Sequence, residues 1–122
     1  MGPILVVDDN MINREVLVRK LKKKGFELLE AENGDDAVKL AIEEKPSVVL
    51  MDLKMPGKDG WEVCRELKGS PVTKDIKIVA LTASFLDDEF KAQLDETGFD
   101  GYLSKPAQTE KVVEMISGVV GR

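Results

Sequence analysis

Residues 4–10 read ILVVDDN: four apolar residues, three of them β-branched, run straight into two carboxylates. A short, unbroken apolar run suits a strand buried on both faces, as in a parallel sheet. The pattern recurs at residues 47–52, SVVLMD, where a second apolar run ends on Asp52. Working outward, five such runs are expected as strands: Ile4–Val7, Phe26–Ala31, Ser47–Met51, Ile76–Leu81 and Phe99–Leu103. The last is the most polar and suits an edge.

The segments between the runs have helical periodicity. Met11–Lys24 places Leu17, Val18 and Leu21 on one face, and Gly25 follows as a stop. Asp35–Glu44 carries Ala37, Leu40 and Ala41 inward and ends before Pro46. Asp59 is the expected N-cap of a helix to Lys68, with Val63 and Leu67 inward. Ser84 is the expected cap of a helix from Phe85 to about Glu96, and Gln108–Val119 forms the last. Strands alternating with helices predict an α/β fold, a doubly wound (βα)5 flavodoxin-like sandwich. Its parallel five-stranded sheet is expected in the order 2-1-3-4-5. Ligands of such sheets sit beyond the carboxyl ends of the strands, where the chain reverses direction between strands 1 and 3.

Length and composition agree. A chain of 122 residues is one domain, and it buries roughly two-thirds of its unfolded surface without needing disulfides. Hydrophobic residues at 43% argue against disorder. No apolar run approaches the ~20 residues of a membrane span, and Asp8 and Asp9 interrupt any leader, so no membrane association is expected. The single cysteine, Cys64, fits a cytoplasmic location and reads as a small buried apolar residue. The absence of histidine excludes Ser-His-Asp and Cys-His catalysis and His-ligated metals. A net charge of -5 argues against nucleic-acid binding.

The predicted carboxyl edge collects polar groups. Strand 1 delivers Asp8 and Asp9, strand 3 Asp52, strand 4 Thr82 and strand 5 Lys105, held extended by Pro106. Two carboxylates ~5 Å apart repel by ~3 kcal/mol at an effective dielectric of ~20. Three together call for a cation, and an all-oxygen donor set selects Mg²⁺ or Mn²⁺. Taken singly, Asp8 and Asp9 would also serve as turn and cap residues, and Lys105 as a solvated lysine. With Lys105 and the Thr82 hydroxyl beside the acids, the edge suits a tetrahedral oxyanion. Phosphoryl transfer through an aspartyl phosphate has these requirements.

Four motifs carry a resemblance: VVDDN (Val6–Asn10), MDLKMPGKDG (Met51–Gly60), ALTAS (Ala80–Ser84) and GYLSKP (Gly101–Pro106). Their order and spacing resemble the receiver domain of bacterial two-component response regulators, over Ile4–Val120 and so across one domain at 1–122. The segment DDNMINREVL resembles single-domain and hybrid-kinase receivers in particular.

The resemblance implies that Asp52 accepts the phosphoryl group. It implies that Asp9 and Asp52 ligate Mg²⁺, that Asp8 holds it through water, and that Lys54 lends a backbone carbonyl. Lys105 and Thr82 would contact phosphoryl oxygens, and Thr82 and Tyr102 would be the switch pair. Lys105–Pro106 would be cis, and Pro56 and Gly57 would shape the loop before Gly60. The implied donor is a histidine kinase or histidine phosphotransferase. The implied output is a downstream protein met by the fourth helix, fifth strand and fifth helix, with Phe85 and Phe90 at the start of that helix as contacts. A monomer or weak homodimer is expected. The chain would catalyse its own phosphorylation and dephosphorylation as a switch and not as a free-standing enzyme.

Two features depart from the family pattern. Phe99 stands where a smaller residue is usual, and Lys54 brings a second cation near the site. A phosphatase of the haloacid-dehalogenase type shares the chemistry but places its nucleophile in D-x-D after strand 1, where this chain has Asp8-Asp9-Asn10. A receiver that binds partners without being phosphorylated is the other reading left open.

Overall fold

A computed structural model describes residues 2–121. The elements alternate as read: β1 Ile4–Val7, α1 Met11–Lys23, β2 Leu28–Ala31, α2 Gly34–Glu44, β3 Val48–Asp52, α3 Gly60–Lys68, β4 Lys77–Thr82, α4 Asp88–Thr97, β5 Gly101–Ser104 and α5 Thr109–Val120. All four strand pairings are parallel, in the order β2-β1-β3-β4-β5. This is the flavodoxin-like α/β fold. Among the described residues no helix is long and apolar enough to cross a membrane.

Strand side chains alternate between faces, so the central strands feed two cores. Leu5, Val7, Val49, Met51, Ile78 and Ala80 pack with residues of α2, α3 and α4. Ile4, Val6, Val48, Leu50, Val79 and Leu81 pack with Val18 and Leu21 of α1 and Val112, Ile116 and Val119 of α5. Each fully buried Leu or Ile contributes ~1.5–3 kcal/mol. The edge strand β2 is less buried, with only Ala31 fully covered, so its apolar run overstated its burial.

Two strands, β2 and β5, start two residues later than expected because their leading amides are already used. The Phe26 N–H donates to the Leu21 carbonyl at the end of α1, and the Phe99 N–H donates to the Leu94 carbonyl at the end of α4. At their carboxyl ends β3, β4 and β5 each run one residue longer than expected. Asp52 and Thr82 are therefore the last residues of strands, and the sheet's own ladder fixes their backbones.

The start of α4 also differs. Its N-cap is Asp87, whose side chain accepts from the Phe90 N–H at 2.8 Å. Asp88 and Glu89 add negative charge to the first turn, where the helix dipole favours it. Ser84 does not cap: its own N–H donates to Thr82 Oγ1 at 3.0 Å and closes a turn there. Phe85 consequently lies in the loop before α4, 83% exposed, and not on the helix. Phe90 is on α4, with its ring edge-on to Trp61 at 5.7 Å. Phe99 also meets Trp61 edge-on at 5.7 Å and is buried, so the larger residue at this position fills the space between α3, α4 and β5. Cys64 is fully buried, and desolvation pushes its thiol up to about 12.

Candidate functional site

The turn from β1 into α1 is tied at every polar atom of Asp8. Its N–H donates to the Ala31 carbonyl, and its Oδ1 accepts from the Asn10 N–H at 2.9 Å. Its Oδ2 accepts from Lys105 Nζ at 3.1 Å, and its carbonyl accepts from Arg14 Nη1 at 2.7 Å. Asn10 then caps α1 through its side chain to the Asn13 N–H. Asp8 is buried while Asp9, one residue on, is exposed.

Asp52 arrives beside them because β3 pairs directly with β1. Carboxylate oxygens of Asp8, Asp9 and Asp52 lie within 4.8 Å of one another. Burial raises the Asp52 pKa above its ordinary value. Lys105 opposes that rise and the Asp8 charge adds to it, while a backbone hydrogen bond from Lys54 also favours the ionised form. Lys105 Nζ lies 3.3 Å from Asp52 Oδ2, so one ammonium bridges two of the three acids. The Lys105–Pro106 bond is cis.

Thr82 ends β4, almost fully buried, with Ser104 opposite it on β5. Tyr102, two residues earlier on β5, is half-buried against the core beneath α4. Lys54 is exposed; among the described residues the ammonium paired with the site acids is that of Lys105. The structure thus brings Asp8, Asp9, Asp52 and Lys105 together at one edge, with Thr82 at the neighbouring strand end.

The loop from β3 to α3 is shaped as its residues require. Gly57 takes a left-handed φ of 74°, which a side chain would disfavour. Gly60 packs so closely on the end of β3 that a Cβ there would come 2.5 Å from the Asp52 carbonyl oxygen. Trp61 lines a shallow hollow with Leu53, Lys54, Met55, Pro56 and Asp59.

Two supports of the site have no counterpart in the sequence reading. Arg14 bonds the Asp8 carbonyl and also reaches Glu30 Oε1 at 3.1 Å. Lys58, in the loop after β3, pairs with Glu66 at 2.6 Å and Asp35 at 3.4 Å, joining that loop to α3 and α2. Both act on backbone or across elements, so no local motif marks them. The spacing of three to four residues that exposes a helix pair is absent here.

The donor set suits a hard divalent cation. Three carboxylates converge, with no nitrogen or sulfur ligand among them. The arrangement can hold such an ion against a buried carboxylate and place a lysine beside both.

Comparison with known proteins agrees with this geometry. The family model for the response regulator receiver domain matches residues 4–117. The chain is 39% identical over 119 residues to the phosphate regulon transcriptional regulatory protein PhoB of Pseudomonas aeruginosa, covering 98% of this chain and 52% of that regulator. It therefore spans about half the length of that relative. Among solved structures it superposes on the chemotaxis protein CheY4 of Vibrio cholerae with a TM-score of 0.90, at 27% identity and 98% coverage of both chains. It superposes on the receiver domain of the sensor histidine kinase PA1611 of Pseudomonas aeruginosa PAO1 with a TM-score of 0.89. That pair is 27% identical and covers 99% of this chain and 98% of the other, whose active site cleft coordinates a magnesium ion. A fold, an acidic strand edge and a family model that coincide over nearly the whole chain leave one assignment: the chain belongs to the response regulator receiver domain family.

Proposed function

We propose that this receiver domain of a two-component system takes a phosphoryl group from a partner phosphohistidine onto Asp52, with Mg²⁺, and thereby switches its protein contacts. The observation that carries the reading is the convergence of Asp8, Asp9 and Asp52 within 4.8 Å, with Lys105 bridging Asp8 and Asp52. Asp9 and Asp52 would ligate the metal, Asp8 would hold it through water, and the Lys54 carbonyl would complete the protein's share. Mn²⁺ would fit the same donors. When bound, the ion supplies charge neutralisation and a template for the phosphoryl oxygens.

In the reaction a carboxylate oxygen of Asp52 bonds to phosphorus as the P–N bond of the donor phosphoimidazole breaks. The departing nitrogen keeps the electron pair and, with the proton already on the other ring nitrogen of the phosphoimidazole, the donor leaves as a neutral histidine. Burial favours this nucleophile, because a desolvated carboxylate has lost part of the hydration that would stabilise it unreacted. Lys105, already 3.3 Å from Asp52, turns from the carboxylates to a phosphoryl oxygen. Thr82 donates its hydroxyl to another. Burial of the Thr82 side chain and half-burial of Tyr102 suit a coupled movement, in which the ring follows the hydroxyl inward.

Output then runs through α4, β5 and α5 to another protein. Phe85 contributes from the loop before α4, where its ring is exposed. The domain acts in the cytoplasm as a monomer or weak homodimer, and its net charge of -5 disfavours nucleic acid as the direct partner. It catalyses its own phosphorylation and dephosphorylation as a switch.

The test is transfer from a radiolabelled, phosphorylated histidine phosphotransferase. Label should move to this chain with Mg²⁺, and a chelator should stop the transfer. Label that stays on the donor in Mg²⁺, across several donors and with acetyl phosphate as well, would leave a phosphorylation-independent binding module as the better account.

A further inference from the structure

We infer that Arg14 is a positioning residue for the metal site: by clamping the Asp8 carbonyl it sets the Asp8–Asp9 peptide, and through it the reach of the Asp9 carboxylate. The inference rests on the metal-dependent reading above. Arg14 sits in the first turns of α1 with its side chain only 12% exposed. Its guanidinium uses two donors on two separate segments: Nη1 to the Asp8 carbonyl in the turn after β1 at 2.7 Å and Nε to Glu30 of β2 at 3.1 Å. A planar fork of fixed donors suits that task, and Glu30 holds the fork from its far side.

The consequence for Asp9 follows from the backbone. The carbonyl of residue 8 and the N–H of residue 9 belong to one rigid peptide plane. Fixing the oxygen therefore fixes the orientation in which Asp9 leaves it. Asp9 needs this more than Asp8 does. Asp8 is buried and held by Asn10 and Lys105 through its side chain. Asp9 is exposed, and no hydrogen bond to its carboxylate is found among the described residues. The proposed direct ligand is thus the least restrained of the three acids, and Arg14 acts on the peptide that aims it.

Charge and position predict opposite signs. Arg14 is a cation close to an acidic site, so if it acted only through charge, removing it would strengthen Mg²⁺ binding. If it positions Asp9, removing it weakens binding, by about tenfold as for other outer-shell supports. Calorimetric titration of Mg²⁺ into the whole chain reads this directly, with no phosphorylation involved. Arg14→Met should bind Mg²⁺ about tenfold more weakly than the parent. Arg14→Lys keeps the charge but cannot span both acceptors, and it should fall between the two. Thermal melts without metal give the structural cost separately; should Arg14→Met fail to fold, Arg14→Lys alone decides. Variants that bind Mg²⁺ as well as the parent, or more tightly, overturn the inference while leaving the proposed function standing. A parent chain with no saturable Mg²⁺ binding overturns both.

Discussion

Lys105 and Asp8 stand 97 residues apart in the chain and 3.1 Å apart in space. The same ammonium is 3.3 Å from Asp52, so a single cation at the end of β5 holds together acids delivered by β1 and β3. Removing that cation should cost more than an exposed ion pair would, because the Asp8 and Asp52 carboxylates it leaves behind are largely shielded from water. Lys105→Met should lose about 1–3 kcal/mol of stability in a chelating buffer and recover much of it in excess Mg²⁺. Urea denaturation in the two buffers checks this. Equal losses in both would mean that the metal and the lysine do not share these acids.

The burial of Asp52 makes stability depend on pH with a definite sign. Its pKa is raised in the folded chain, mainly by desolvation, from an ordinary value of 3.8. Below that value the group is protonated both folded and unfolded, and it contributes nothing. As pH rises through the unfolded and then the folded value, the folded state gives up its proton less readily, so a penalty grows and then levels off. Asp52→Asn should therefore be more stable than the parent at pH 7 without metal. The advantage should fade as pH drops toward the ordinary carboxylate range. Denaturation curves across that range check it, and a difference that does not change with pH would point to a packing effect instead.

The start of α4 yields a third prediction. Asp87→Ala removes the side chain that caps the Phe90 N–H and should cost about 1 kcal/mol. Phe85→Ala should change stability by less than about 0.5 kcal/mol, since the ring is 83% exposed. Phe99→Ala should cost about 3–5 kcal/mol, since that ring is buried against Trp61. Thermal denaturation of the three variants ranks them, and a costly Phe85→Ala would place that ring in the core.

What could be read from the sequence was what local pattern encodes. The runs Ile4–Val7 and Val48–Met51 announced strands covered on both faces, and the acids that follow or end them announced the carboxylate cluster of the candidate site. Asp59 and Gly60 marked the start of α3 because cap and close-packed glycine lie side by side. The start of α4 was ambiguous because Ser84 and Asp87 are both capping residues three positions apart. Only the turn made by the Ser84 N–H on Thr82 Oγ1 decides between them. Arg14 and Lys58 left no trace because their partners lie on other elements, and one of those partners is a backbone carbonyl.

The central claim is that Asp52 alone receives the phosphoryl group, in a site completed by Asp9 and Mg²⁺. Intact-mass spectrometry after incubation with acetyl phosphate and Mg²⁺ tests it most directly, with the parent, Asp52→Asn and Asp9→Ala chains run side by side. The parent should gain the mass of one phosphate, stable in acid and lost in base. Asp52→Asn should gain none, and Asp9→Ala should lose the metal-dependent gain. An Asp52→Asn chain that takes up phosphate as fully as the parent, or a parent that takes up none, would contradict the account.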